Sequence, residues 1–348
     1  MAGGADTALE PAPREEGPRG AGALLGGLTG AGGRGPLLVT VALVVAAALA
    51  LTVAYGLHDV AQRGVNGLVS GSYFALGAVG LTLVYGTLRL VNFAHGDLLT
   101  FGAYMAFLAN VTWGVPVVVA TLFAVVVTAA LGVLSERVMW RPMRGRGAGL
   151  LQLMLMTLGL AFVIRYGIQM VWGTVPRRLD VDVTDSVSFL GLRIGSTELV
   201  VVLVGSAVLL AVGAMLRGTS LGRQMRALSD DMALAEVTGI DTDRVIVATW
   251  VFAAGLAGLA GVLYTAAIGT MTPNLGFFLL LSLFAAVILG GIGNAFGALA
   301  GGLLLGLAQE WSTLLVDPRW KVAVGFAILI VVLIVRPQGL FGRAERTL

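Results

Sequence analysis

The feature that most constrains this chain is a series of ten apolar runs that begins at Leu37 and ends at Val335. A helix needs about 20 mostly apolar residues to cross a bilayer, and some of these runs are shorter or contain a polar break. The runs cover residues 37–57, 65–85, 93–110, 115–134, 150–172, 199–216, 245–268, 277–289, 295–309 and 322–335. The pattern predicts an all-α polytopic membrane protein with about 8–10 transmembrane helices, some broken or re-entrant.

Charge is scarce in this sequence, at 12% of residues compared with about 25% in soluble domains. The chain contains no cysteine, which excludes disulfides, thiolate metal sites and cysteine nucleophiles. Its two histidines, His58 and His95, do not have a metal-ligand spacing. The arginines flank apolar runs, where they act as topology signals rather than as a nucleic-acid surface. We therefore expect no metal, no cofactor bound by this chain and no nucleic-acid partner.

Composition divides the chain into three parts. Residues 1–36 are rich in Gly, Ala, Pro, Arg and Glu, so we expect a disordered tail. Residues 37–335 form the transmembrane domain, which includes a charged loop at 217–244, and residues 336–348 form a C-terminal tail. With the N-terminus inside, 15 Lys and Arg residues lie on the cytoplasmic side and six on the other, which predicts that both termini are cytoplasmic.

The chain shows a hint of internal repetition. Residues 86–106 and 290–306 each place a break containing Gly and Asn before a helix of small residues. One such segment in each half predicts a weak two-fold repeat, as in many transporters. Gly290, Gly291 and Asn294 of the second segment are therefore candidates for the translocation path.

The polar string Asn92 to Asp97 interrupts two apolar runs. Ionisable side chains at membrane depth are costly and normally face a cavity, a partner helix or the interface. One interpretation is a break at the translocation path, with Asn92, His95, Gly96 and Asp97 as path or gate candidates. The other is a helix cap, and the two are compatible. Counting from Arg89 places Asp97 about one helical turn, or ~6 Å, inside the cytoplasmic edge, which favours a gate in the cytoplasmic half.

Arg165 is the one arginine inside an apolar run, seven residues before its end. Because arginine can extend over roughly two helical turns, we favour an interpretation in which it reaches the external headgroups. The alternative is a buried pair, for which Asp97 is the available acid.

The loop 217–244 is predicted to contain a short helix, with Ser229 as its cap, Asp230 and Asp231 in its first turn and Gly239 at its end. Such a helix is suited to contact a soluble partner, although a solvated charged loop is the commoner meaning of such a run. The candidate contact residues are Arg223, Arg226, Asp230, Asp231, Ala233, Ala235 and Gly239.

The longest loop on the opposite side, residues 173–198, carries Arg177 and Arg178 beside Trp172. These arginines are candidates for docking an extracytoplasmic protein. Interfacial anchoring of the chain is an equally good interpretation, because Arg and Trp often mark membrane boundaries.

Three blocks of residues resemble the permeases of branched-chain amino acid importers of the ATP-binding-cassette class. They span residues 65–339 in matching order and comprise 85–104, with Asn-Phe-Ala-His-Gly-Asp at 92–97; 222–261, with Gly-Ile-Asp at 239–241; and 288–302, with Leu-Gly-Gly-Ile-Gly-Asn at 289–294. The first block is most similar to the first permease of the pair. The resemblance implies a second permease subunit, two cytoplasmic ATPase subunits, an extracytoplasmic binding protein and a bacterial plasma-membrane location. Permeases for urea and short-chain amides share much of the pattern, so the solute remains open.

The sequence offers no catalytic machinery of its own. A phosphate-binding loop needs Lys before Ser or Thr, and Lys321, the single lysine, is followed by Val322. We therefore expect a transporter subunit, not an enzyme, whose ATP is used by partner subunits. An ion-coupled carrier is a weaker alternative, because only His95 and Asp97 could bind the coupling ion. An intramembrane enzyme would need a nucleophile with a base, and none is evident.

Overall fold

The computed structural model describes residues 35–181, 185–336 and 338–341. The predicted tail 1–36 lies outside these residues, apart from its last two. The helices are α1 (Gly35–Tyr55), α2 (Leu57–Leu88), α3 (His95–Phe107), α4 (Val117–Ser135), α5 (Arg141–Gly145), α6 (Leu150–Trp172), α7 (Ser196–Gly218), α8 (Ser220–Asp230), α9 (Met232–Val237), α10 (Thr242–Ile268), α11 (Leu275–Gly290), α12 (Ala295–Ser312) and α13 (Lys321–Val335). π-Helical turns at Leu108–Thr112 and Glu136–Trp140 extend α3 and α4, and a 3-10 turn at Pro318–Trp320 precedes α13. Strands β1 (Ser186–Phe189) and β2 (Leu192–Gly195) form an antiparallel hairpin.

Each of the ten predicted apolar runs corresponds to a helix. Within the described residues, seven helices are long and apolar enough to cross a membrane. The remaining three, α3, α11 and α12, are shorter or less apolar. These three lie in the interior of the bundle, so their packing depends on neighbouring helices rather than on lipid. The chain is an all-α, multi-pass membrane protein.

The bundle has two ends, which contacts between distant segments identify. At the arginine-rich end, which holds residues 88–89, 140–149 and 217–242, Arg89 Nη2 donates to Ser229 O over 3.0 Å. At the opposite end, which holds residues 56–58, 173–195 and 269–271, Arg177 and Met271 exchange two backbone hydrogen bonds of 2.9 Å. Helix α2 runs from the opposite end to the arginine-rich end, and α10 runs the other way.

Small residues set the spacing of the central helices. In α12, a methyl group on Gly302 would overlap the backbone of Ala75 in α2, and one on Gly306 would overlap that of Gly71. In α10, a Cβ atom on Gly258 would lie 2.9 Å from Thr128 Cβ of α4. These close approaches bring α2, α10 and α12 together as the core around which the short helices pack.

An internal repeat is present, and it relates the ends of α2 and α10. Arg89 and Gly269 follow these helices in left-handed conformation, with φ of 51° and 77°, and each N–H donates over 2.8 Å to the carbonyl four residues earlier. Six residues later the short helices begin, at His95 and Leu275. The offset is 180 residues in both cases (269 − 89 and 275 − 95). Pairing residues 86–106 with 290–306 was therefore wrong, because the conformational match of 89–96 is 269–276.

The two repeated short helices, α3 and α11, cross at glycine residues. Gly96 and Gly276 occupy the second position of each helix, and a methyl group on either would overlap the carbonyl oxygen of the other. The N–H of Gly276 donates to Thr100 Oγ1 over 2.8 Å. The contact is reciprocal, since Gly96 faces Leu280 and Gly276 faces Thr100 at equivalent positions. The starts of both helices are thus fixed against each other inside the bundle.

We predict that Gly276→Ala lowers the free energy of unfolding by about 1–3 kcal/mol, because the added methyl group overpacks the crossing. The matched control is Gly159→Ala, an exposed position of α6 with no heavy atom within 4 Å of the new Cβ. There the gain in helix propensity should stabilise the protein by about 0.5–1 kcal/mol. Denaturant titration in detergent measures both variants, and a shift of the same sign for both would contradict the crossing described here.

Candidate functional site

The loop between α2 and α3 turns back into the bundle. His95 Nε2 donates to Gly77 O over 2.9 Å, and a Cβ atom on Gly80 would lie 3.0 Å from the His95 ring. Gly77 is 11 residues from the end of α2, so His95 lies ~16 Å from the arginine-rich end. Helix α3 therefore begins in the interior and runs toward the opposite end.

This depth corrects the expectation for Asp97. Counting residues from Arg89 placed Asp97 about one helical turn inside the cytoplasmic edge, but the non-helical residues 90–94 rise through the bundle before α3 starts. Extended backbone covers about 3.3 Å per residue, more than twice the rise of a helix. The motif is thus a re-entrant segment near the middle of the bundle rather than a gate at its edge.

The re-entrant segment satisfies much of its backbone locally and through α6. Asn92 Oδ1 accepts a hydrogen bond from Ala94 N over 3.1 Å, and Asn92 O accepts one from His95 N over 3.3 Å. Thr157 Oγ1 in α6 accepts from Phe93 N over 3.1 Å. The predicted capping role of Asn92 is therefore confirmed, but Asp97 does not cap the loop.

Two buried polar atoms in this segment have no hydrogen-bond partner among the described residues. They are Asn92 Nδ2 and His95 Nδ1. His95 Nδ1 is an acceptor, because the contact with a carbonyl oxygen places the ring proton on Nε2. Unsatisfied buried groups cost free energy, and this one segment retains both an unused donor and an unused acceptor.

Asp97 forms a buried ion pair with Arg165. Arg165 Nε donates to Asp97 Oδ1 and Nη2 donates to Oδ2, both over 2.9 Å. The Asp97 side chain is fully buried and that of Arg165 is 11% exposed. The interpretation of Arg165 as a side chain that reaches the external headgroups is wrong, because its guanidinium binds the interior carboxylate. The alternative pairing with Asp97 is confirmed.

Aromatic rings surround the guanidinium of Arg165. It lies 4.6 Å from the centroid of Phe277 and 5.7 Å from that of Phe162. Phe162 is stacked on Tyr166 with centroids 6.1 Å apart, and Phe277 contacts Phe278 at 5.7 Å. Phe277 is the repeat equivalent of Asp97, 180 residues later at the third position of α11. Arg165 thus contacts both equivalent positions, one through an ion pair and one through a cation–π contact.

The second set of path candidates lies elsewhere in the structure. Asn294 caps α12, since its Oδ1 accepts from the N–H groups of Phe296 and Gly297 over 3.1 Å. A methyl group on Gly290 would overlap Gly297, and Phe341 N donates to Gly290 O over 3.3 Å. Gly290, Gly291 and Asn294 thus lie at the arginine-rich end, apart from the Asp97 site, and they join α11, α12 and the C-terminal segment.

The charged loop forms two short helices rather than one. Ser229 lies inside α8 and does not cap a helix. Asp231 caps α9, because its Oδ1 accepts from Leu234 N over 3.0 Å, and Asp230 is the last residue of α8. Gly239, with φ of 87°, ends the turn after α9 as predicted. The extended conformation of Asp231 breaks the helix at that residue, so the cap is two residues later than expected.

Most of the predicted contact residues of this loop are exposed. The exception is Ala235, which is buried beneath α9 and whose carbonyl accepts from Ile240 N over 3.1 Å. The exposed members are Arg223, Arg226, Asp230, Asp231, Ala233 and Gly239. Leu234 and Val237, which sequence reasoning missed, add exposed apolar surface to α9, at 61% and 85% exposure.

Arg177 and Arg178 differ in their surroundings. Arg177 is half-buried, donates from Nη2 to Trp172 O over 3.0 Å and lies 5.9 Å from the Phe107 ring centroid. It holds the loop to the bundle, as the anchoring interpretation expects. Arg178 is exposed and is therefore the better candidate for contact with another protein.

Sequence reasoning also missed Thr157 and the aromatic residues around Arg165. Their spacing in α6 gives a weak signal, since Thr157, Phe162 and Arg165 lie in one helix. It likewise missed two buried carboxylates that are paired. Glu136 binds Arg144 and accepts from Trp250 Nε1 over 2.8 Å, and Glu310 binds Lys321 over 2.7 Å. Both were hidden because each partner belongs to a different helix or turn.

Comparisons with known proteins place the chain. Residues 63–333 match the model of the family described as the permease component of branched-chain amino acid transport systems. The chain belongs to this permease family. It is 34% identical over 297 residues to the high-affinity branched-chain amino acid transport permease BraD of Pseudomonas aeruginosa, covering 82% of this chain and 96% of that protein. It is 35% identical over 298 residues to LivH of Escherichia coli K12, a permease of the same description, with the same coverage.

A more distant relative is the ribose import permease RbsC of Escherichia coli K12, 28% identical over 281 residues, or 78% of this chain and 84% of that protein. No solved structure shows significant similarity to the chain. The ion pair and the re-entrant segment both lie within the part that matches the branched-chain amino acid permease family.

We predict that Arg165→Met destabilises the protein by about 3–5 kcal/mol, because it leaves the Asp97 carboxylate buried and unpaired. Arg319→Met is the matched control: Arg319 pairs with Asp317 at the surface, so its loss should cost less than about 1 kcal/mol. Chemical unfolding in detergent compares the two. Equal losses would show that Asp97 does not depend on Arg165.

Proposed function

We propose that this chain is the membrane-spanning permease subunit of an ATP-binding-cassette importer for branched-chain or other hydrophobic amino acids. In this proposal a separate binding protein delivers the solute and separate subunits hydrolyse ATP. The observation that carries it is the meeting of two half-helix starts and a charged pair inside a member of this permease family. Discontinuous helices of this kind characterise solute paths, because their free ends supply polar groups at membrane depth.

The geometry favours this function over an ion-coupled carrier. A coupling cation would need a carboxylate with free oxygens, but both Asp97 oxygens accept hydrogen bonds from Arg165. His95 is bound to a backbone carbonyl. A permease for urea or short-chain amides remains the second candidate for solute, and the names of the most similar relatives support amino acids instead.

The arrangement of partners follows from the two ends of the bundle. We place the arginine-rich end in the cytoplasm, in accord with the excess of Lys and Arg on that side. Two ATPase subunits would bind there, and a second, related permease would complete the membrane core. At the opposite end, exposed Arg178 is our candidate for contact with the binding protein.

ATP-driven uptake in proteoliposomes tests the proposal. Vesicles containing the chain, its second permease and the ATPase subunits should accumulate leucine when a leucine-loaded binding protein is present. Isoleucine and valine should compete, whereas urea and acetamide should not. Competition by urea alone would favour the second candidate, and uptake driven by an ion gradient without ATP would contradict the importer.

The surface formed by α8 and α9 is our candidate for contact with the ATPase. Ala233, Leu234 and Val237 are exposed on the short α9, and the caps at Asp231 and Asp241 hold the helix in place. An exposed apolar patch flanked by charges at a bundle end is typical of a protein contact.

We predict that Ala233→Arg lowers transport at least ten-fold while leaving membrane insertion intact, because bulk and charge would prevent close approach of the ATPase. Ala235→Arg is not an equivalent test, since that residue is buried and its substitution would disturb the fold. The control is Gly145→Arg, an exposed position at the same end with open space around it. Co-purification of the ATPase and leucine uptake are the readouts, and normal values for Ala233→Arg would make the loop an ordinary solvated connection.

A further inference from the structure

We propose that Asp97, Arg165 and the aromatic residues around them form a subsite that binds the zwitterionic head group of the transported amino acid. The inference rests on the proposed function and extends it to named side chains. In the present structure the two charged side chains satisfy each other. The solute would separate them, with its α-carboxylate on Arg165 and its α-ammonium group on Asp97.

Charge complementarity carries the first step. A free amino acid bears one anionic and one cationic group on the same carbon, and the pair supplies one of each opposite sign. The planar guanidinium matches a carboxylate through two parallel hydrogen bonds, the geometry it already has with Asp97 at 2.9 Å. Exchange of partners would keep every charge paired, so the solute's two charges would not be left without counter-charges in the interior.

The surroundings carry the second step. None of the hydrogen bonds among the described residues uses Arg165 Nη1, and the side chain is 11% exposed, so one edge of the guanidinium is accessible. An accessible arginine edge at this depth is disfavoured against lipid, which indicates that this face of α6 lines a wet or protein-covered space. Phe162, Tyr166, Phe277 and Phe278 are 47–65% exposed on the same face. They provide apolar surface for the side chain of a hydrophobic amino acid.

The backbone carries the third step. Asp97 lies in the first turn of α3, and Phe277 in the first turn of α11, so two helix N-termini converge here. Their positive ends favour a carboxylate, in addition to Arg165. Stability alone does not account for the pair, because a buried ion pair is often no more stable than apolar residues of similar volume.

A double variant separates a solute subsite from a structural bridge. Asp97→Asn with Arg165→Gln removes both charges together and keeps similar volumes and hydrogen-bonding groups, so a structural role would be preserved. We expect leucine uptake by the complete complex to fall at least ten-fold, with stimulation of ATP hydrolysis by the loaded binding protein kept within two-fold. Uptake within two-fold of the wild type would overturn the proposal.

The matched control neutralises another buried pair of the same chain. Glu310→Gln with Lys321→Met removes the 2.7 Å pair at the opposite end of the bundle, remote from Arg165. This variant should transport leucine within two-fold of the wild type. Equal losses in both double variants would mean that any buried pair is needed for assembly and would count against the subsite.

A second measurement decides the matter if the double variant fails to assemble. The native chain has no cysteine, so Phe162→Cys introduces a single thiol beside the intact pair. During ATP-driven turnover, leucine should slow its reaction with a small polar thiol reagent several-fold. Absence of any protection would overturn the proposal. Leucine uptake by the wild-type complex in the same vesicles tests the proposed function separately, since its failure would appear in that arm and failure of the subsite only in the variants.

Discussion

The reciprocal contact between Gly96 and Gly276 is the constraint on which the interior of this permease depends. It lets the backbones of α3 and α11 touch, which no residue with a Cβ atom allows. The contact fixes where both half-helices begin, and Thr100 ties them with a hydrogen bond. Asp97 and Phe277 follow one residue later in each helix, so the crossing also decides which side chains meet Arg165. The charged site is thus a consequence of backbone packing.

Much of the fold was predictable from apolar periodicity. The bounds of α6 match the predicted run residue for residue, and the helical character of the loop after α7 was also anticipated. Depth was not predictable, because counting residues from Arg89 assumes that the chain keeps the direction in which it enters. Residues 90–94 reverse direction inside the bundle, and hydropathy does not distinguish such a return from a turn at the surface.

The partner of Arg165 was within reach of the sequence only as an option. Asp97 is 68 residues away, and nothing in either local pattern fixes their separation in space. The repeat offers a stronger signal in retrospect. A residue in left-handed conformation, a six-residue interval and a glycine at the second helical position recur after 180 residues, but Arg89 occupies a position that normally favours glycine. That substitution concealed the match to Gly269.

The repeat is geometrically even but electrically uneven. Its two halves present the same backbone to Arg165, yet one carries a carboxylate at Asp97 and the other an uncharged ring at Phe277. Any sliding of α3 against α11 therefore moves a negative charge with one half alone. Equal displacements in the two directions consequently differ in energy, so a scaffold with an approximate two-fold axis acquires an intrinsic polarity from a single side chain.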